Sequence, residues 1–198
     1  PDAPKLKVSQ WLQGQRTSLK GPGRIFLVEV WATWCGPCLQ TMPHLIELQK
    51  RHSDRLQVVA ISDEDAGTVR TFLQRNDWNP ISVAVDPEGQ TLKELDKRFG
   101  IPGIPKTFAI QDNKVIWHGH PNELDMVLPA MLAGEWTPSS MKALEDVKDR
   151  ARSWVDGLRQ GVALNQASKA TGESILTDAA SYPNLLNEVS WALLTEVR

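Results

Sequence analysis

The sequence predicts an α/β fold, a central mixed β-sheet flanked by helices, followed by an all-helical C-terminal extension. Three observations lead there. Short apolar runs alternate with amphipathic helical segments over residues 25–99, a hairpin-like pair of runs comes later, and beyond residue 136 only helical periodicity remains. The expected division is residues 1–136 for the α/β domain and 137–198 for the extension.

Each element has its own signal. Val8 to Gln13 reads as a short amphipathic turn or helix with Trp11 and Leu12 apolar, and Gly21-Pro22-Gly23 is a turn. Ile25 to Trp31 is almost continuously apolar, as a strand buried on both faces should be. A helix follows from about Gly36 to His52, bent at Pro43, where a backbone donor is missing. Leu56 to Ile61 reads as a second central strand, and Asp65 to Asn76 as a helix with Val69, Phe72 and Leu73 on one face. Ile81 to Val85 is a strand closed by the turn Asp86-Pro87-Glu88-Gly89, and Thr91 to Phe99 is a helix. Strands at Thr107–Ile110 and Val115–Trp117 are joined through Asp112-Asn113, and Glu123 to Leu132 closes the domain as a helix.

Composition shifts at Ala133 to Ser140, which reads as a linker. Beyond it Met141, Leu144, Val147, Ala151, Trp154, Val155 and Leu158 recur at helical spacing. Thr171-Gly172 and Ser181-Tyr182-Pro183 are read as breaks, with Pro183 opening another helix that carries Leu185, Leu186, Val189, Trp191 and Leu194. This extension holds no catalytic constellation. Its expected role is packing against the first domain or a helix-mediated contact with a partner protein.

Charge excludes some partners. The formal charge is -2 over 198 residues, with acids and bases interspersed, so neither nucleic acid nor an anionic membrane surface is an expected partner. No apolar run approaches the roughly 18 residues of a membrane span. Pro1-Asp2-Ala3-Pro4 opens without the charged and apolar stretches of a signal peptide.

The chemistry is concentrated in Trp34-Cys35-Gly36-Pro37-Cys38, which holds both cysteines of the chain at a strand-to-helix junction. Cys35 is placed at the first helical turn, where unpaired N–H groups and the helix dipole favour a thiolate. Thiolate is the species that attacks a disulfide. Cys38 lies about one turn on, within reach of the Cys35 sulfur, so it can resolve a mixed disulfide intramolecularly. Pro37 suits a first turn. A zinc knuckle would need two more ligands, and His44, His52, His118 and His120 form no closely spaced pair of the required kind. A purely structural disulfide would close only a two-residue loop and recover little chain entropy. Thiol–disulfide exchange is therefore the expected chemistry, with no metal and no cofactor.

The segment Glu29 to Cys38 resembles the active-site segment of the thioredoxin superfamily. Pro43, five residues after Cys38, stands where that family carries its helix-kinking proline, and Phe99 to Phe108 is similar to its second signature, with Pro105 as the cis proline that faces the cysteines. Lys114 to His120 matches the last hairpin, while Ile61 to Asp65 and Trp117 to Pro121 are closer to the TlpA/ResA branch. The resemblance covers about residues 1–136. It implies a thioredoxin-like fold and a thiol-disulfide oxidoreductase acting as a protein-disulfide reductase. Disulfide oxidase or isomerase activity on the same chemistry, or a copper-binding or interaction module, are the alternatives.

The implied roles follow residue by residue. Cys35 is the exposed attacking thiol, Cys38 the buried resolving one, and Glu29 the buried carboxyl that takes the Cys38 proton. Trp34, Gly36, Pro37, Ile104 and Pro105 form the substrate-binding surface, with Ile104 offering its backbone to an extended peptide. The implied partners are protein disulfides and an upstream thiol electron donor. The implied location is periplasmic or otherwise exported, with the cytoplasm as the alternative. Two departures stand out: Gln57 to Ser62 lacks the family's lysine partner for the carboxyl, and Thr41 stands where ResA-like proteins carry a glutamate. A peroxidase would need Thr-x-x-Cys, and Thr33 is one residue too close to Cys35; a copper site would want Cys-x3-Cys.

Overall fold

A computed structural model describes residues 1–100, 103–161 and 165–182, together with 186 and 190. Ile101, Pro102 and the helix expected from Pro183 (Leu186 and Ser190 aside) lie outside the described residues. The strands are β1 (Gln10–Gln13), β2 (Ile25–Val30), β3 (Leu56–Ser62), β4 (Ser82–Val85), β5 (Lys106–Gln111) and β6 (Lys114–Gly119). The helices are α1 (Gly36–Arg51), α2 (Ala66–Leu73), α3 (Gln90–Phe99), α4 (Leu124–Ala133), α5 (Pro138–Arg159) and α6 (Gln166–Asp178). The chain forms two compact units, Pro1–Leu124 and Asp125–Arg198, whereas the compositional break in the sequence falls at 136/137.

In the first unit the sheet order is β1-β4-β3-β2-β5-β6. β2, β3 and β4 run parallel, and β1, β5 and β6 are antiparallel to their neighbours. This is the mixed sheet that the early alternation and the late hairpin foretell. The hairpin turn is made by Asp112 and Asn113 at φ 49° and 63°. Two successive left-handed residues suit the right-handed twist of the flanking strands.

β1 departs from the sequence reading. Gln10–Gln13 is an edge strand and not a turn or helix, because its backbone groups find partners along β4. The Ser9 N–H donates to Val85 O at 2.9 Å, and the Gln13 side-chain amide donates to Ile81 O at 3.1 Å. Gly14 ends the strand at φ +72°, where a Cβ would stand 2.7 Å from the Ser82 Cα. Local periodicity cannot report a pairing made across some seventy residues.

Strand alternation splits the core. Phe26, Val28 and Val30 of β2 join Val59, Ile61, Phe108, Ile110, Val115 and Leu95 of α3 in one cluster. Ile25, Leu27 and Glu29 point to the opposite face, the side of α1, whose Cys38, Met42, Leu45 and Leu48 are buried. Gln49 ties α1 to the sheet: its side-chain carbonyl accepts the Val58 N–H at 2.7 Å, and its amide donates to Pro80 O at 2.9 Å.

In the second unit α5 and α6 pack together. Thr137 and Ser140 form a capping box at the start of α5, and Leu144, Val147, Ala151, Val155 and Leu158 are its buried stripe. The break expected at Thr171-Gly172 is absent: α6 runs through it. Gly172 serves packing instead. A Cβ there would stand 2.5 Å from Cζ2 of Trp154, whose indole N–H donates to Ser168 O at 2.9 Å.

Two effects oppose each other in Gly172→Ala. Helix propensity favours alanine by about 1 kcal/mol, while overpacking against a ring held by its own hydrogen bond costs about 1–3 kcal/mol. The clash dominates, so Gly172→Ala lowers stability of this unit, read as a lower unfolding midpoint in urea. A raised midpoint would show that Trp154 yields freely.

Candidate active site

The cysteine pair is presented by a tight turn between β2 and α1. Beyond Val30, the Trp31 N–H donates to Ile61 O at 3.2 Å and the Cys35 N–H to Ala32 O at 3.1 Å. Cys35 is the N-cap of α1 with φ −82° and ψ 91°, and its Sγ accepts the Cys38 N–H at 3.2 Å. A sulfur in this place does what a serine or aspartate oxygen does at other caps, satisfying an orphan donor. No acidic residue occupies the first turn of α1. Cys35 and Cys38 are joined as a disulfide with a Cα–Cα distance of 5.3 Å. Thr41, in place of the ResA-like glutamate, turns its hydroxyl back to donate to Cys38 O at 3.0 Å.

Exposure corrects one expectation. Cys38 is fully buried, but Cys35, expected to be exposed, is only 4% exposed. Its sulfur lies over the helix end and is bonded to Cys38, so the surface belongs to its neighbours: Gly36 and Pro37 are exposed, and Trp34 is 73% exposed. Trp31 instead is buried against Trp78 and Phe72, at ring-centroid distances of 4.4 and 5.5 Å.

Glu29 lies on the α1 side of the sheet, fully buried. Thr107 stands opposite it on β5 and donates its hydroxyl to Oε2. The other oxygen, Oε1, is buried and takes no hydrogen bond from any described residue. On the β3 side its neighbour in register is Ala60, so no lysine faces it from that strand. Burial pushes the Glu29 carboxyl up to about 8, against the smaller opposing effect of the Thr107 hydroxyl. The group is a neutral acid near pH 7 that can exchange a proton.

Ile104 and Pro105 enter the site through register. Val30 pairs with Lys106, so the residues just before β5 lie beside the start of the cysteine loop. The Ile104–Pro105 peptide is cis, Pro105 is buried, and Ile104 is half-buried against the core cluster. Sequence reasoning missed two participants. Thr107 could have been noticed as a polar residue opening an apolar strand. Glu64, whose carboxylate binds the Thr33 N–H and hydroxyl at 2.7 and 2.6 Å, leaves no local signal because that contact spans 31 residues. Among the described residues no group of three or more His, Cys, Asp or Glu could hold a metal ion, and no helix is long and apolar enough to cross a membrane.

A cysteine pair at a helix N-cap, following a strand that carries a buried carboxyl in a sheet of this order, defines a thioredoxin-fold protein. Residues 2–126 match the family model described as Redoxin, and the chain belongs to that family. It is 31% identical over 114 residues to the thioredoxin-like protein YneN of Bacillus subtilis (strain 168), covering 55% of this chain and 64% of that protein. It is 32% identical over 119 residues to the thiol-disulfide oxidoreductase ResA of Bacillus thuringiensis subsp. konkukian, covering 58% of this chain and 65% of that one. The chain thus spans just under two thirds of the length of these relatives. A solved structure titled as a putative thiol:disulfide interchange protein DsbE from Chlorobium tepidum superposes with a TM-score of 0.54 at 27% identity, covering 66% of this chain and 95% of that one.

The raised carboxyl has a signed consequence for stability. Below pH 4.5 Glu29 is protonated in both folded and unfolded chains. Between 4.5 and about 8 the folded chain keeps a proton that the unfolded chain has released, so stability falls as pH rises, and the loss is complete above about 8. The full span is roughly 3–5 kcal/mol. Urea unfolding of the oxidised protein from pH 5 to 9 therefore falls more steeply for wild type than for Glu29→Gln. Parallel pH curves would contradict the buried, proton-holding carboxyl.

Proposed function

We propose that the chain is a thiol-disulfide oxidoreductase that reduces protein disulfides with the Cys35/Cys38 dithiol. The observation that carries this reading is the Cys35 sulfur at the N-cap of α1, accepting the Cys38 N–H. The same N–H and the helix dipole favour the Cys35 thiolate once the pair is reduced. That thiolate attacks one sulfur of a substrate disulfide, forms a mixed disulfide, and expels the other sulfur as a thiolate. The ionised fraction of Glu29, with Oε1 as the acceptor, takes the Cys38 proton through water. The Cys38 thiolate then attacks Cys35 Sγ, releasing the second substrate sulfur and leaving the Cys35–Cys38 disulfide. An upstream thiol donor returns the pair to the dithiol.

Trp34, Gly36, Pro37, Ile104 and Pro105 form the surface that receives the substrate in this reading. The flat exposed indole supplies contact area, and Ile104 would present its backbone to an extended peptide for strand-like pairing. The Gly36-Pro37 dipeptide favours a reductant over an oxidase or isomerase. The resemblance to the TlpA/ResA branch favours an exported, periplasmic location. The thiol chemistry is assigned to residues 1–136, with 137–198 as a packing or partner-binding extension.

Two outcomes test this. In the reduced protein Cys35 is alkylated faster than Cys38; Cys38→Ser traps mixed disulfides with substrate, and Cys35→Ser is inert in insulin reduction with dithiothreitol. A faster Cys38 reverses the assignment. Truncation after Pro138 retains insulin reductase activity while exposing apolar surface to a hydrophobic dye. A truncated protein that stays folded yet loses activity places the extension in the active site.

A further inference from the structure

Glu64 carries a carboxylate that accepts three hydrogen bonds beside the cysteine loop. It is half-buried, two residues beyond the end of β3. Its Oε2 accepts the Thr33 N–H at 2.7 Å and the Ser62 hydroxyl at 3.0 Å, and its Oε1 accepts the Thr33 hydroxyl at 2.6 Å. Its own N–H donates to Ser62 Oγ at 3.2 Å. Hydrogen bonds to an ionised acceptor are about twice as strong as neutral ones. Three of them on one carboxylate hold it against the loop and away from free rotation in solvent.

The loop so held carries the attacking cysteine. Thr33 lies between buried Ala32 and exposed Trp34, one residue ahead of the indole and two ahead of Cys35. The clamp joins the end of β3 to the turn leaving β2, the two strands whose register places Glu29. It brings a fixed negative charge toward a helix end that has no acid of its own in its first turn. Asp63 and Asp65 flank Glu64, Asp65 as the N-cap of α2; Glu29 is buried on the α1 side, and Lys106 is in register with Val30.

We propose that Glu64 is a positioning residue for Cys35. It fixes the Thr33–Trp34 turn, and so the aim of the Cys35 sulfur, and its anchored charge makes the Cys35 thiolate less stable than the helix terminus alone would. A less stabilised thiolate is a stronger reductant, because the dithiol form gives up its electrons more readily. Glu64 thus tunes the pair toward reduction of its substrate. The proposal rests on Cys35 being the attacking thiol.

The test uses the reduced full-length chain. Iodoacetamide alkylation of each cysteine is followed by mass spectrometry across pH, and the dithiol–disulfide equilibrium is read against glutathione. Glu64→Gln keeps the shape and removes the charge. It should raise the thiolate fraction of Cys35 below its midpoint about three-fold, the scale of a partly exposed charge pair, with a similar shift of the glutathione equilibrium toward the dithiol. Glu64→Asp keeps the charge on a shorter arm, so the midpoint holds while insulin turnover falls. Thr33→Val removes one donor and leaves the charge, so the midpoint stays or rises. A Glu64→Gln protein with an unmoved midpoint overturns the proposal, as does an aspartate variant whose midpoint moves like the glutamine one. If glutamine at 64 prevents folding, the aspartate variant decides alone: an unmoved midpoint with lowered insulin turnover supports the proposal, and a moved midpoint or unchanged turnover overturns it. A wild type in which Cys38 alkylates first overturns the assignment of Cys35 itself, which is a separate failure.

Discussion

The antiparallel register between β2 and β5 determines which residues meet at the site. With Ile25 opposite Gln111 and Val30 opposite Lys106, Thr107 faces Glu29 and the Ile104-Pro105 pair falls beside the start of the cysteine loop. The alternation of β2 enforces this register. A slip of one residue would turn Glu29 into the apolar cluster of Phe26, Val28 and Phe108 and send Val28 to the α1 side. A buried carboxyl without its hydroxyl partner would add a desolvation cost to the mispacking. The same apolar pattern that builds the sheet therefore selects the one pairing in which the chemistry assembles.

Burial outweighs neighbouring charge at Glu29. Ala60 in register on β3 brings no cation to offset desolvation, and one hydroxyl is too little to do so. The result is a carboxyl that holds its proton near neutrality and is free to trade it. Glu64 follows the opposite logic. It is half-buried and takes three hydrogen bonds from Thr33 and Ser62, so the same functional group serves as a clamp on the loop. The two glutamates differ in role through environment alone.

Most of the first unit was legible because its signals are local. Ile25–Val30 and Leu56–Ser62 are apolar runs of strand length, Asp112-Asn113 is turn chemistry, and the Cys35 cap follows from spacing at a strand-to-helix junction. What escaped was long-range. Gln10–Gln13 is a strand only because β4 passes beside it, and Glu64 matters only because Thr33 folds back onto it. Gly172 was misread for the same reason: a glycine inside a helix signals a break until the ring that fills its missing side chain is known. The shallow exposure of Cys35 was equally invisible, since spacing fixes a residue's place on a helix but not how far its sulfur turns inward.

The contrast between Trp34 and Cys35 bears on which disulfides can be reached. An indole 73% exposed stands beside a sulfur that is 4% exposed. A partner's first encounter is with a rigid apolar plane, and the reacting atom lies recessed behind it. A bond embedded in a flat, well-packed surface cannot be lowered onto such a target, whereas one carried on a loose or protruding strand can. If the pair acts as the proposed reductant, reach would sort substrates before any difference in driving force is felt, and properly folded proteins would keep their cross-links.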